Sequence, residues 1–156
     1  MVKHLIGVIG AGRANDRELE LAERTGKLIA EHGAILVCGG LGGVMEAAAR
    51  GAKSAGGLTV GILPQPTKEM ANSYIDVPIA TGFGEGRNVI IIRTADVLIT
   101  IGGEYGTLSE LAFALKMGKP VIGINTWNIK GIIEADTPDT AIDKALQLLT
   151  GPHKGF

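Results

Sequence analysis

Residues 97–115 read Val-Leu-Ile-Thr-Ile-Gly-Gly-Glu-Tyr-Gly-Thr-Leu-Ser-Glu-Leu-Ala-Phe-Ala-Leu, and this stretch decides the fold. Residues 97–101 are apolar without clean alternation, the pattern of a strand covered on both faces. A glycine-bearing turn follows over residues 102–107, and then Leu108, Leu111, Ala112 and Leu115 recur at helical spacing. Gly118 and Pro120 break that helix before a second apolar run at 121–124. Strand, helix and strand in so short a span form a βαβ unit, whose right-handed crossover makes the two strands parallel.

The same alternation runs along almost the whole chain. Further strand-like runs are residues 5–9, 35–38, 58–63 and 75–79. Leu21, Ala22, Thr25, Leu28 and Ile29 follow helical spacing, with Gly33 as the stop. Val44, Ala47, Ala48, Gly51, Ala52 and Ala55 make a stripe of small residues suited to close packing on the sheet. Residues 87–94 predict a short isoleucine-rich helix that carries Arg87 and Arg93. Thr137-Pro138 opens the last helix, Thr as cap and Pro at the first position, with Ile142, Ala145, Leu146 and Leu149 facing inward. There is no linker and no internal repeat. The expectation is one α/β domain over residues 1–156: a Rossmann-like three-layer sandwich with a mainly parallel central sheet of about six or seven strands.

Composition narrows the function classes. Fifteen Lys and Arg stand against 16 Asp and Glu, so no basic footprint exists for a nucleic-acid backbone. An apolar share of 46% with 20% charged residues excludes a disordered chain. No apolar stretch approaches the roughly 18 residues that span a bilayer, and Lys3-His4 before a short apolar run is too compact for a signal peptide. The single cysteine, Cys38, excludes a disulfide framework and points to a reducing, cytoplasmic compartment. Cys38 ends a strand and reads as a small core residue. His4, His32 and His153 lack ligand spacing, so no metal site is expected.

The 24 glycines, about twice ordinary usage, lie at the ends of the apolar runs. In doubly wound sheets ligands bind at the carboxyl ends of the strands, so loops directly after strands carry the information. Four of them bear glycine: Gly10-Ala11-Gly12-Arg13, Gly39-Gly40-Leu41-Gly42-Gly43, Thr81 to Arg87, and Gly102-Gly103-Glu104-Tyr105-Gly106-Thr107. One such loop is a tight turn; four on one rim, with Arg13 and Arg87 beside two of them, suit a phosphate-bearing ligand. The dinucleotide fingerprint fails, because Gly10-Ala11-Gly12 lacks the third glycine and no acid ends the second strand. No Gly-Lys-Ser/Thr follows any loop, which excludes a P-loop.

Arg87-Asn88, Arg93, Asp96 and Gly103-Glu104-Tyr105-Gly106-Thr107-Leu108-Ser109-Glu110 resemble the LOG-like family. That family includes cytokinin-activating phosphoribohydrolases, molybdenum-cofactor carrier proteins and members labelled lysine decarboxylases. Its hallmark is Pro-Gly-Gly-x-Gly-Thr-x-x-Glu, preceded by an arginine. The resemblance covers the chain and is closest to the short carrier branch, where Arg-Asn-Val replaces the hydrolase Arg-Lys. It implies a bound molybdenum cofactor or AMP-like mononucleotide. For a hydrolase it implies Arg87 and Glu110 as the catalytic pair. Three positions depart from the hydrolase pattern: Gly102 replaces the proline, Glu104 the second glycine and Asn88 the lysine. A pyridoxal-type decarboxylase is set aside, since no cofactor lysine has aromatic and acidic supports.

The expected ligand contacts are Gly10, Gly12, Arg13, Gly39, Gly40, Gly42, Gly43, Arg87, Gly103, Glu104, Tyr105, Gly106, Thr107 and Glu110. Several have a structural alternative. Thr107-Leu108-Ser109-Glu110 matches a capping box, so Glu110 either reaches back to the Thr107 amide or faces a ligand. Arg87 is either an ion-pair partner of Glu85 or Glu104 or an anion ligand. Asp96 is expected to accept from Arg93, and Tyr74 and Trp127 either stack on a ring or pack a subunit contact. The apolar segments 89–92 and 111–115 predict a homo-oligomer, a homodimer or homotetramer. Three functions follow: a carrier for a phosphate-bearing cofactor, a nucleoside monophosphate N-glycosidase, and a nucleotide sensor without turnover.

Overall fold

The computed structural model describes residues 3–151, and His153 lies outside them. The elements run β1 (Leu5–Gly10), α1 (Asp16–Glu31), β2 (Ile35–Cys38), α2 (Val44–Ser54), β3 (Thr59–Leu63) and β4 (Val77–Ala80). A 3-10 turn, Gly84–Arg87, leads into α3 (Asn88–Thr94), followed by β5 (Val97–Ile101), α4 (Tyr105–Lys116), β6 (Val121–Ile124), β7 (Ile133–Glu134) and α5 (Pro138–Thr150). Every strand pairs in parallel, in the order β4-β3-β2-β1-β5-β6-β7. This is the expected Rossmann-like α/β sandwich.

Apolar residues on both faces of each central strand hold the three layers together. Ile6, Val8, Leu36, Ile99, Ile101 and Ile122 pack under α1, α2 and α5. Ile9, Val37, Ile62, Leu98 and Val121 pack under α3 and α4. Thr137 caps α5 through the Thr140 N–H at 3.1 Å, with Pro138 at the first turn, as its sequence predicts.

Several details differ from expectation, each for a local reason. The small stripe of α2 serves a neighbouring helix as well as the sheet: a Cβ on Gly51 would overlap the Glu23 carbonyl of α1, and one on Gly26 would overlap the Ala48 carbonyl of α2. Ala55 lies just past the helix as its C-cap. The fourth strand starts at Val77, because the preceding residues bond to Thr59, whose N–H donates to Asp76 Oδ2 at 3.0 Å and whose hydroxyl donates to the Tyr74 carbonyl at 2.6 Å. Asp96 accepts from the Leu5 N–H at 2.8 Å and thereby ties β1 to the start of β5; Arg93 is not its partner. Ile91, Ile92 and Leu111 are buried within the chain's own core, which leaves Tyr105 and Phe113 as the exposed large hydrophobic side chains of α4 among the described residues.

The sheet order reverses between β1 and β5. Loops leaving these two strands diverge and open a crevice at their carboxyl ends, where ligands of such sheets bind.

Candidate functional site

On the β1 side of the crevice, α1 begins with a capping box. The Asn15 side chain accepts from the Glu18 N–H at 2.8 Å, and Glu18 Oε1 accepts from the Asn15 N–H at 3.3 Å. This fixes the Glu18 carboxylate against the loop leaving β5. There Gly102 (φ 55°) donates its N–H to the Ile124 carbonyl at 3.1 Å and accepts from Thr126 Oγ1 at 2.7 Å. A concavity of about 500 Å³ lies between the two loops and the end of β6, lined by Asn15, Arg17, Glu18, Gly103, Asn125 and Trp127 among others. Asn125 has φ 49°, the only non-glycine with positive φ among the described residues, and it also lines an adjoining space of about 200 Å³.

The concavity's lining on the β5 side stops at Gly103, and α4 starts two residues further on. Glu104 takes an extended conformation as N-cap and offers no side-chain bond to the helix. Of the two alternatives for Glu110, the capping box with Thr107 is absent: the helix starts at Tyr105, and Thr107 is its third residue, packed against Gly103 (φ 113°). The Leu108 N–H is committed to the Glu104 carbonyl at 3.0 Å. The amides of Tyr105, Gly106 and Thr107 have no intrahelical acceptor, and with the helix dipole behind them they favour an anion. Trp127 Nε1 donates to the Glu104 carbonyl at 3.3 Å, and its ring stacks on Tyr105 with centroids 6.1 Å apart.

Arg87 and Glu110 meet in a separate, smaller cleft. They line it with Gly10, Gly39, Met45 and Ile91, and its roughly 10 Å³ of space holds about one water. Arg87 is buried; its Nε donates to the Ile62 carbonyl at 2.8 Å, Nη2 to the Gly39 carbonyl at 3.4 Å, and Nη1 to Asn88 Oδ1. Neither Glu85 nor Glu104 forms an ion pair with it among the described residues. Burial pushes the Glu110 carboxyl up to about 7, with Arg87 pulling partly the other way. Burial likewise pushes the neighbouring Cys38 thiol up to about 11, which suppresses the thiolate a nucleophile needs.

The expected ligand contacts thus divide. Gly10, Gly39, Arg87 and Glu110 share the small cleft; of the α4 loop only Gly103 lines the main concavity, and Glu104, Tyr105, Gly106 and Thr107 follow it as the N-cap and first turn of α4. Gly12, Arg13 and Gly43 line another concavity of about 350 Å³ with Glu46 and Arg50, so the two arginines serve different surfaces. Gly43 (φ 66°) lets the Val44 N–H reach the Ala11 carbonyl at 3.1 Å, locking two rim loops together. Gly40 (φ 76°) is buried and its carbonyl accepts from the Asn72 N–H at 2.9 Å; Gly42 sits 3.6 Å, measured from a would-be Cβ, from the Gly12 carbonyl. Sequence reasoning missed Asn15, Arg17, Glu18, Asn125 and Thr126. The Asn-x-x-Glu spacing and the polar step after β6 were the available signals.

A parallel sheet with a glycine rim and a helix start without a side-chain cap near its switch point places the chain among Rossmann-like α/β proteins. The chain belongs to the SLOG cluster4 family, whose model matches residues 3–152. It is 51% identical over 139 residues to an uncharacterised protein of Archaeoglobus fulgidus, 88% of this chain and 91% of that one. It is 37% identical over 119 residues, 70% of this chain, to a cytokinin riboside 5′-monophosphate phosphoribohydrolase of Mycobacterium tuberculosis, and spans 63% of that enzyme. Among solved structures, the molybdenum cofactor binding protein of Rippkaea orientalis superposes with TM-score 0.92 at 38% identity, covering 96% of this chain and 99% of that one. The molybdenum cofactor carrier protein of Chlamydomonas reinhardtii superposes with TM-score 0.88 at 37% identity, covering 96% and 100%. The chain is thus LOG-like and lies near the carrier branch.

Proposed function

We propose that this protein binds and carries a phosphate-bearing cofactor of the molybdenum-cofactor kind. The observation that carries the reading is the uncapped start of α4 beside a concavity of about 500 Å³ at the switch point, in a chain that superposes over nearly its whole length on carrier proteins. The amides of Tyr105, Gly106 and Thr107 hold the phosphate, and Gly103 keeps the approach open. The ring system lies in the concavity against Trp127. Gly10 and Gly39 line the small cleft with Arg87, and Gly12, Arg13 and Gly43 line a third concavity, so these residues lie outside the proposed ring site. A homodimer or homotetramer is proposed with it, using the exposed Phe113 surface.

The hydrolase reading has one observation in its favour: a carboxyl held near 7 faces an arginine across a cleft. Glycosidic cleavage needs that carboxylate at the anomeric carbon or its attacking water. A cleft with room for about one water, and an Arg87 tied to two backbone carbonyls, favour the carrier. Incubation with AMP, followed by chromatography, tests the choice. The carrier releases no adenine; adenine release that disappears in Glu110→Gln would make the protein an N-glycosidase.

A further inference from the structure

The LOG-like hallmark has proline where this chain has Gly102, and the structure shows what takes up the vacated volume. A Cβ on Gly102 would overlap Glu18 Oε2. The carboxylate therefore rests on the backbone of the glycine loop and faces the main concavity. Its Oε1 accepts only the long Asn15 bond at 3.3 Å, and Oε2 accepts none among the described residues. None of the ion pairs among those residues involves Glu18. The other polar groups nearby are engaged or differently placed: Thr126 Oγ1 donates to Gly102, Trp127 Nε1 donates to Glu104, and Asn125 and Arg17 stand at the exposed edge.

We infer that Glu18 is a specificity-determining residue that selects a fused heterocycle presenting a 2-amino-4-oxopyrimidine edge, as guanine and pterins do. The inference rests on the proposed binding function. A carboxylate only accepts hydrogen bonds, and that edge offers a ring N–H and an adjacent amino group side by side, matching two carboxylate oxygens. Hypoxanthine keeps the ring N–H and loses the amino group. Adenine turns an unprotonated ring nitrogen toward the same position and meets the carboxylate with its lone pair. A site that hydrogen-bonds a substrate N–H discriminates strongly against an analogue lacking it, because its own polar group is left unpaired.

Calorimetric titration with GMP, IMP, AMP and dihydroneopterin monophosphate tests the inference, on the wild type and on Glu18→Gln. Glutamine retains the capping box, so the variant keeps the α1 start. Expected is binding of GMP and the pterin phosphate at least tenfold tighter than AMP, with IMP between. Glu18→Gln then weakens the first two about tenfold and leaves AMP within a few-fold. The tighter of GMP and the pterin phosphate identifies the source of the edge. Equal wild-type affinity for GMP and AMP, or a preference that survives in Glu18→Gln, would overturn the role of Glu18 and leave phosphate binding standing. Failure of all four to bind the wild type would overturn the selection by Glu18, while carriage of the molybdenum cofactor itself is decided separately by co-elution of that cofactor with the protein. The wild-type ranking decides the matter even if the variant folds poorly.

Discussion

Glu18 and Gly102 share one volume: the carboxylate of the first fills the space that a side chain on the second would need. Two loops that are far apart in sequence are thereby held at a fixed separation across the switch point. Gly102→Ala should lower stability by about 1–2 kcal/mol, mostly the left-handed backbone cost, with a smaller overpacking part because the Glu18 carboxylate ends a flexible side chain that can swing aside. Adding Glu18→Ala should recover only the overpacking part, since φ of 55° remains unfavourable. Urea midpoints for the two single variants and the double variant measure the coupling; strict additivity would show that the two residues do not compete for space.

Arg87 acts first on the scaffold. Its guanidinium satisfies the Ile62 and Gly39 carbonyls where β3 and β2 end. Arg87→Met should cost about 2–4 kcal/mol by leaving buried acceptors unpaired. The loss should appear in denaturant melts without any ligand. A variant as stable as the wild type would assign Arg87 wholly to binding.

Glu110 gives the protein a pH signature. Folding raises its pKa from 4.5 to about 7, so the folded state holds this proton more tightly than the unfolded one. Its contribution is full below about pH 4.5, falls as pH rises through the window to about 7, and is flat above that. The loss amounts to about 3 kcal/mol at most. Glu110→Gln should flatten this slope and melt higher than the wild type at pH 8, with a smaller gain at pH 5. Parallel melting profiles for the two proteins across pH 4–8 would contradict the buried, proton-holding carboxyl.

Gly51→Ala tests the close crossing of α1 and α2. The new methyl would overlap the Glu23 carbonyl, and α2 cannot yield without shifting Val44 and Ala48 off the sheet. Despite the better helix propensity of alanine, thermal melting should show a loss of about 1–3 kcal/mol. A gain in melting temperature would mean that the helices stand further apart than described.

The apolar runs made most of the sheet readable, because strands covered on both faces cannot afford polar positions; residues 35–38, 97–101 and 121–124 appear as the strands expected. β7 escaped notice because two residues paired only at Ile122 and Gly123 leave no periodic trace. The α4 start was misread since Thr107 and Glu110 have capping-box spacing, whereas Gly103 lets the chain turn into the helix two residues earlier. In contrast, Asn15 and Glu18 do form such a box and were not singled out. The glycine rim was legible from loop positions after strands. Which rim residues converge was not, because sheet order, absent from a single sequence, separates Arg13 from Arg87 and brings Glu18 to Gly102.

If the crevice between β1 and β5 holds a phosphate-bearing cofactor without consuming it, the cofactor must travel intact with the protein. The direct measurement is to mix the protein with molybdenum cofactor released from a molybdoenzyme and separate the mixture by anaerobic gel filtration. Molybdenum and pterin are then assayed in each fraction. Both should elute with the protein at about one per chain, and the recovered pterin should still carry its phosphate. Molybdenum and pterin eluting only with small molecules, beside a protein that remains folded, would contradict that carriage.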